Sequence, residues 1–470
     1  MQPLGQADTH KSQQMRPHIG VHATVVLDIG KTNVKLALLD AGGTLLAEGR
    51  MPNAIVRDGP YPHHDVERIW DWMLGTIGGF ARQARIGAIV PVTHGATAAL
   101  VDEHGLVLPV LDYENDFGAL DYSARPPFAQ TLSPDLPCGL NLGRQLAWQA
   151  QRYPDEFARA RHILMYPQYW AWRLSGVAAS EVTSLGCHTD LWNSVAQTYS
   201  SLPQAQGWTD RFPPMRAAWT RLGPIKPELA ALTGLPADCQ IVCGIHDSNA
   251  SLLRYLGAER QTVLSTGTWM IAAAFGADLG GLREEADMLA NTSALGQPVA
   301  SARFMGGREF GALAGSAPQE CGVADLERLI ARASFALPCF AESGGPFAGR
   351  AGRIAGPEPE TAQERYALAT LYCVLMTDYC LGALGASGAV VIEGSFAGNP
   401  YFARLLGALR PEQAIATSED ASGTTAGGWM LHHWGESPGF AATPAAPLLL
   451  SGLHSYRARW LELVGAQDAI

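Results

Sequence analysis

Short apolar runs separated by small polar bends dominate the first hundred residues. TVVLDI (24–29) is β-branched and apolar and stops at Gly30; VKLALL (34–39) returns, Asp40 to Gly43 turns again, and TLLAEG opens a third run. This pattern predicts a β-meander with Lys31-Thr32-Asn33 at its first bend. Residues 65–83, DVERIWDWMLGTIGGFARQ, carry apolar side chains at helical spacing. IGAIVPVTHG then reads as a buried strand, AALVDEHG as a strand and turn, and LVLPVLDYE as another strand. Helices are predicted over 141–153 and 155–174, and the prolines at 203–224 predict a long connection.

The pattern then begins again. CQIVCGIHDSNASLL reads as strand, polar turn and helix start, and TVLSTGTWMIAAAF (262–275) as strand, Gly-Thr turn, strand. The latter has the layout of VVLDIGKTNVKLALL: an apolar run, a bend of Gly and hydroxyl, an apolar return. A long helix is predicted at 362–386, and ASGAVVIEGSFAGNPYFARLLGAL reads as strand, glycine turn, helix. Two halves that open with the same kind of hairpin predict a duplicated α/β architecture with a cleft between them.

Composition narrows the possibilities. Over 470 residues, Lys plus Arg is 33 against 44 for Asp plus Glu, a net charge of −11. That balance argues against a nucleic-acid partner or a lipid surface, since both attract basic faces. A hydrophobic share of 47% with only 16% charged residues implies a large buried core rather than disorder. Residues 1–20 are polar, lack the apolar stretch of a secretory signal, and read as a disordered lead-in. No run of about 18 apolar residues escapes a charged or turn-forming interruption, so no membrane span is expected. The eight cysteines are scattered without zinc-site spacing, which predicts reduced, structural thiols in a cytoplasmic protein.

Several segments have the residue types that chemistry needs. In Asp28-Ile29-Gly30-Lys31-Thr32-Asn33, a bend of small residues exposes successive backbone N–H groups as an anion nest. Thr32 and Lys31 add donors for phosphate oxygens, and Asp28 ends a strand where a hydrated Mg²⁺ would sit. A plain hairpin with a capping Asp would look similar. There is no GxxxxGK[ST] loop and no strand-linked GxGxxG. Leu264-Ser265-Thr266-Gly267-Thr268 is a second nest, and Glu393-Gly394-Ser395-Phe396 a third glycine turn, where a missing side chain lets a flat ring approach. In Gly244-Ile245-His246-Asp247-Ser248-Asn249 an apolar strand runs into His-Asp. Asp247 there suits a general base at a cleft, or a helix N-cap; His246 suits a site or a packed turn. Thr93-His94-Gly95 and Asp112-Tyr113-Glu114 are polar tips on apolar segments, as a site for hydroxyl groups would need. His63-His64 reads as surface or capping and His432-His433 as structural.

Together these segments resemble the FGGY carbohydrate kinase family of the actin/Hsp70/sugar-kinase superfamily, in family order over about residues 23–436. LDIGKTNVKLALLD resembles the first phosphate motif, THG with VDEHGLVLPVLDYE the sugar-contacting region, and GLPADCQIVCGIHDSNASLL the segment with the catalytic aspartate. LSTGTWM resembles the second phosphate motif and EGSFAGNPYFARLLGAL the adenosine motif. The resemblance implies two ribonuclease H-like domains, at 21–244 and 245–470, with an interdomain cleft. It implies ATP and Mg²⁺ as cofactors, a small-molecule sugar as substrate, and a homodimer as a family-level expectation. By it, Asp247 is the base that takes the proton of the sugar hydroxyl. Gly30, Lys31, Thr32 and Asn33 lie near the β- and γ-phosphates, with Gly267 and Thr268 on the other side. Gly394, Ser395 and Asn399 border the adenosine, Asp28 positions Mg²⁺ through water, and Thr93, His94, Glu114 and His246 contact the sugar. The layout around SEVTSLGCHTDLWN and MGGREF is similar to the rhamnulokinase and fuculokinase side of the family. The implied reaction is phosphorylation of a primary hydroxyl of a ketose, with a 6-deoxyketohexose such as L-fuculose or L-rhamnulose ahead of a pentulose such as xylulose. Two rivals use the same scaffold: a sugar-binding regulator without turnover, and an actin-like ATPase.

Overall fold

The computed structural model describes residues 22–257, 260–315, 320–420, 422–436 and 441–466. The lead-in assigned to 1–20 lies outside them. The first lobe is built on a sheet of β1 (His22–Ile29), β2 (Asn33–Asp40), β3 (Leu45–Pro52), β4 (Arg85–Thr93), β5 (Arg221–Pro224), β6 (Gln240–Val242) and β7 (Ile245–His246). Strands β1, β2 and β3 form the predicted antiparallel meander. β4 pairs parallel to β1 on its other side, and β6 and β7 pair parallel to β4. The run Val25-Val26-Leu27 in β1 is apolar without alternation because both faces of the strand are covered. Val25, Leu27 and Ile29 pack in a cluster that includes Ile69, Met73 and Ile77, whereas Val26 packs in one with Trp429 and Met430. Ile69, Met73 and Ile77 come from helix α1 (Val66–Ala81), whose first turn is capped by the Asp65 carboxylate accepting from the Arg68 N–H at 3.2 Å.

The second lobe repeats this arrangement. β8 (Gln261–Thr266), β9 (Met270–Phe275) and β11 (Pro298–Phe304) form an antiparallel set, with β10 (Met288–Thr292) paired to β11. β12 (Ala389–Gly394) lies parallel to β8, and β13 (Ile415–Ser418) parallel to β12. In both sheets the third strand of a meander leads to the second and first, then to two parallel strands. The duplication expected from two similar hairpins is therefore present at the level of topology. The fold is α/β, with two ribonuclease H-like units.

The two halves are stitched together. Helix α2 (Tyr166–Ser175) packs on the first sheet. Helix α3 (Asp247–Leu252) follows β7 and packs against α7 (Gly423–His432), and α7 also lies on β1 and β4. The close approach depends on two glycines. A Cβ on Gly427 would sit 2.0 Å from the Ala250 carbonyl oxygen, and one on Gly428 would sit 2.5 Å from Val26 Cγ1. In the second lobe, α5 (Ala362–Ala383) packs between α4 (Gly306–Ala314) and α6 (Phe402–Leu409). α5 is long and apolar enough to cross a membrane, but most of it is buried in the core of this lobe. All eight cysteines are free thiols, and seven are buried.

Three expectations need correction. LVLPVLDYE is not a strand: it makes only isolated bridges, Leu106 to Val101 and Leu111 to His63. Pro109 lacks an N–H and interrupts any ladder, while Val107, Leu108, Val110 and Leu111 supply the burial that the apolar pattern announced. Residues 155–174 do not form one helix. Pro154–Arg159 is helical, His162–Met165 is a strand paired with Ala98–Val101, and α2 starts only at Tyr166. Finally, His64 is not at the surface. It is buried, its ring 5.0 Å from that of His94 at a tilt of 36° and 5.6 Å from that of Tyr166.

Candidate active site

The bend Gly30-Lys31-Thr32 joins β1 to β2, and the bend Gly267-Thr268-Trp269 joins β8 to β9. Each is closed by its leading glycine: Gly30 N–H donates to the Asn33 carbonyl at 2.9 Å, and Gly267 N–H to that of Trp269 at 2.9 Å. Asn53, buried at the end of the meander, clamps the first bend. Its side-chain amide donates to the Gly30 carbonyl at 2.8 Å, and its N–H to that of Thr32 at 2.9 Å. The Thr32 and Asn33 side chains are exposed and bonded to each other at 3.1 Å. Sequence reasoning missed Asn53, since nothing local ties residue 53 to residue 30.

Lys31 does not project freely. Its ammonium is ion-paired with Asp112, lies 3.4 Å from Glu114 Oε2, and sits 4.5 Å above the Tyr113 ring. The bend and the Asp112-Tyr113-Glu114 segment thus form one charged cluster, in which Glu114 remains largely exposed. Thr93 is buried, and its hydroxyl donates to the His94 carbonyl at 3.0 Å. His94 Nδ1–H donates to the Gly95 carbonyl (3.0 Å), and its Nε2 has no partner among the described residues. Burial lowers its pKa, so it is a neutral ring.

Asp247 stands at the end of β7 as the first residue of α3. It does not act as an N-cap; its Oδ1 accepts from the Ser248 N–H at 2.6 Å and lies 3.2 Å from His246 Nε2. Burial makes His246 neutral, with its pKa lowered to about 4. Asn249 Nδ2 donates toward His246 Nδ1 at 3.3 Å, so Nδ1 accepts and the ring proton sits on Nε2, the nitrogen facing Asp247. Among the described residues, every hydrogen bond to this carboxylate falls on Oδ1, and Oδ2 has none. The side chain keeps 27% of its surface accessible, as in a recess open to a substrate. Burial, with a further contribution from the nearby Asp28 charge, raises its pKa. Two glycines shape the recess. Gly244 has φ +89°, and a Cβ there would lie 2.5 Å from the Pro91 carbonyl; a Cβ on Gly95 would lie 2.7 Å from His246 Nε2.

Asp28 ends β1 close to this recess. Its Oδ2 accepts from Thr424 Oγ1 at 2.8 Å and lies 3.2 Å from Lys35 Nζ, its cross-strand neighbour. Thr424 comes from α7, which no local sequence signal connects to residue 28. Among the described residues no group of three His, Cys, Asp or Glu side chains forms a metal site. A single carboxylate with a free oxygen suits Mg²⁺ that keeps most of its shell as water and phosphate oxygens.

The second lobe contains a cavity of about 820 Å³ lined by Gly267, Thr268, Gly307, Phe310, Tyr366 and Ser395 among others. The turn that brings Ser395 and Phe396 to its wall begins at Gly394, which has φ +85° and whose Cβ would fall 1.9 Å from the Thr266 carbonyl oxygen. Thr266 Oγ1 donates to the Glu393 carbonyl and accepts from Phe396 N–H at 3.0 Å, pinning this turn to the second bend. Asn399 lines the cavity, but its Oδ1 is taken by the Tyr401 and Phe402 N–H groups, each at 3.0 Å. Gly307 lets α4 abut the second bend, since a Cβ there would lie 2.1 Å from the Gly267 oxygen. A pocket of this size, apolar-walled and bordered by a glycine turn, accommodates a nucleoside.

Two lobes of equal topology, each presenting a Gly-hydroxyl bend, with a carboxylate at the strand end between them, define a two-domain fold of the actin/Hsp70/sugar-kinase type. The chain belongs to the FGGY family of carbohydrate kinases. Residues 139–254 match the family's N-terminal domain and residues 258–439 its C-terminal domain. A solved structure of a carbohydrate kinase from Novosphingobium aromaticivorans superimposes with a TM-score of 0.89 at 38% identity, covering 95% of this chain and 99% of that one. L-fuculokinase of Escherichia coli strain K12 is 26% identical over 260 residues, 53% of this chain and 55% of that protein. L-xylulose/3-keto-L-gulonate kinase of the same strain is 24% identical over 272 residues, 53% of each. The chain thus matches about half the length of these curated relatives.

Proposed function

We propose that the protein is an ATP-dependent kinase that phosphorylates a primary hydroxyl of a ketose, with Asp247 as the general base. The observation that carries this reading is the state of Asp247: recessed at a strand end, with Oδ1 accepting from Ser248 beside the His246 ring and Oδ2 without a partner among the described residues. In this reading Oδ2 accepts the hydroxyl proton and aligns the oxygen for in-line attack. His246 holds the carboxylate in place, and its neutral ring does not compete for the proton. The Gly30–Asn33 and Gly267–Thr268 bends face the phosphates with backbone N–H groups, and Lys31 sits between that region and the sugar. His94 and Glu114 border the sugar. Gly394 and Ser395 border the adenosine, whose base occupies the cavity walled by Phe310 and Tyr366. Bound Mg-ATP supplies the transferred phosphoryl group and offsets its charge, with Asp28 as the carboxylate that orients the metal through water.

The substrate assignment follows relatives by name: L-fuculokinase supports a 6-deoxyketohexose first, and the L-xylulose enzyme a pentulose next. We place the protein in the cytoplasm and divide it at 244/245 into a sugar-binding half and a nucleotide-binding half. A coupled ADP-release assay over L-fuculose, L-rhamnulose, L-xylulose and D-xylulose tests the reading. Sugar-dependent ADP release from at least one of them supports it. Sugar binding without ADP release would instead favour a regulator.

A further inference from the structure

Glu181 precedes a four-residue helix, Val182–Leu185, and is completely buried. Its Oε2 accepts from the Thr183 N–H at 3.0 Å and from Thr183 Oγ1 at 2.6 Å, while Oε1 is buried without a partner among the described residues. Capping alone does not account for it. Ser, Thr, Asp or Asn would cap so short a helix without burying a long carboxyl chain, and a buried carboxyl with no cation beside it is costly.

The Thr183 hydroxyl has a second contact. Its oxygen accepts the backbone N–H of His246 at 3.1 Å, 63 residues along the chain. That N–H belongs to β7, a strand of two residues paired only to the tip of β4. So short a strand fixes its own end poorly. The hydroxyl proton given to Glu181 leaves a Thr183 lone pair free to face His246. From there the path is short: Asp247 is the next residue, and the His246 ring brings Nε2 to 3.2 Å from Asp247 Oδ1. Gly95, with no Cβ, leaves the ring room to do so.

We propose that Glu181 and Thr183 are positioning residues that set the place of Asp247 through the backbone and ring of His246. The proposal rests on Asp247 being the base. Three variants, each checked for folding by thermal denaturation, are assayed with whichever ketose of the panel above turns over fastest, or by ATP hydrolysis without sugar where none does. Thr183→Val removes the hydroxyl without changing shape and is expected to lower kcat by at least roughly tenfold, within the ~10²-fold that misplacing a reacting group by about 1 Å costs. The KM for ATP should stay within about twofold, because no nucleotide contact is touched. Thr183→Ser restores the hydroxyl and should recover kcat to within about threefold of wild type on the same positioning argument. A Thr183→Val enzyme with near wild-type kcat, or Thr183→Ser as slow as Thr183→Val, overturns the proposal. If Thr183→Val does not fold, Glu181→Gln serves: its weaker acceptor should slow kcat by roughly threefold or more with the KM for ATP unchanged, and an unaltered kcat overturns the proposal. Asp247→Asn, run alongside, separates the two readings. A fast Asp247→Asn enzyme removes the base assignment. A slow Asp247→Asn enzyme beside a fast Thr183→Val enzyme removes only the positioning role.

Discussion

Asp247 and Glu181 are both carboxyls raised by burial, but they sit in opposite situations. Asp247 opens onto a recess with one free oxygen; Glu181 has no access to solvent at all. The Glu181 pKa is pushed up to about 7 from the usual 4.5, against the pull of the Thr183 hydrogen bonds. A carboxyl raised in the folded state contributes stability that is fully present below its unfolded value and is lost as pH rises through the folded one. Between about pH 4.5 and 7 wild type should therefore lose ground to Glu181→Gln. The difference should reach on the order of 3 kcal/mol at pH 8, read as the change in unfolding free energy in urea. A gap that does not widen with pH would show that the buried carboxyl is not strained by its surroundings. At this scale the sequence was half legible. An apolar strand running into His-Asp is a local signal, and it singled out Asp247. Glu181 and Thr183 entered only within the family-like segment SEVTSLGCHTDLWN, because the contact that gives them weight lies 63 residues away.

The elements that matter most are the two hairpin bends and the glycine turn that meets the second of them. Hairpins are the easiest elements to read, since alternation, Gly and a hydroxyl residue all lie within a dozen positions. The third turn was legible as a glycine turn, but its exact need was not. Gly394 is required because a side chain there would collide with the Thr266 carbonyl at 1.9 Å and because φ is +85°. Gly394→Ala should destabilise the protein by about 1–3 kcal/mol and raise the KM for ATP while leaving that for sugar unchanged. Equal effects on both substrates in a steady-state assay would remove this turn from the nucleotide site. The misread elements failed for physical reasons. LVLPVLDYE has the apolar content of a strand, but Pro109 denies it a ladder. The 155–174 stretch has helical composition, but HILM is drawn into pairing with Ala98–Val101.

Across the molecule, the repeated strand order is the strongest sequence inference that the structure bears out. The stitching of the halves was invisible in the sequence. α7 comes from the second half, lies on the first sheet, and brings Thr424 to Asp28. At the other side of the cleft, the Arg125 guanidinium reaches Glu284 at 2.8 Å, and the same carboxylate accepts from the Asp135 N–H at 2.8 Å. Further ties join the halves: the Thr292 N–H donates to the Gly186 carbonyl at 2.9 Å and the Ala290 N–H to that of Leu132 at 3.0 Å. We expect the radius of gyration in small-angle scattering to fall when ketose and a nonhydrolysable ATP analogue are added together, as a cleft closes on its ligands. No change with both bound would count against closure.

The central claim is that the open oxygen of Asp247 takes the proton of a sugar hydroxyl. Its most direct test is the turnover of Asp247→Asn beside its affinity for nucleotide. The account predicts a loss of at least ~10² in kcat, the usual size of a general-base contribution, with thermal stability and ATP-analogue binding kept. Turnover close to wild type in a folded, nucleotide-binding Asp247→Asn protein would contradict it.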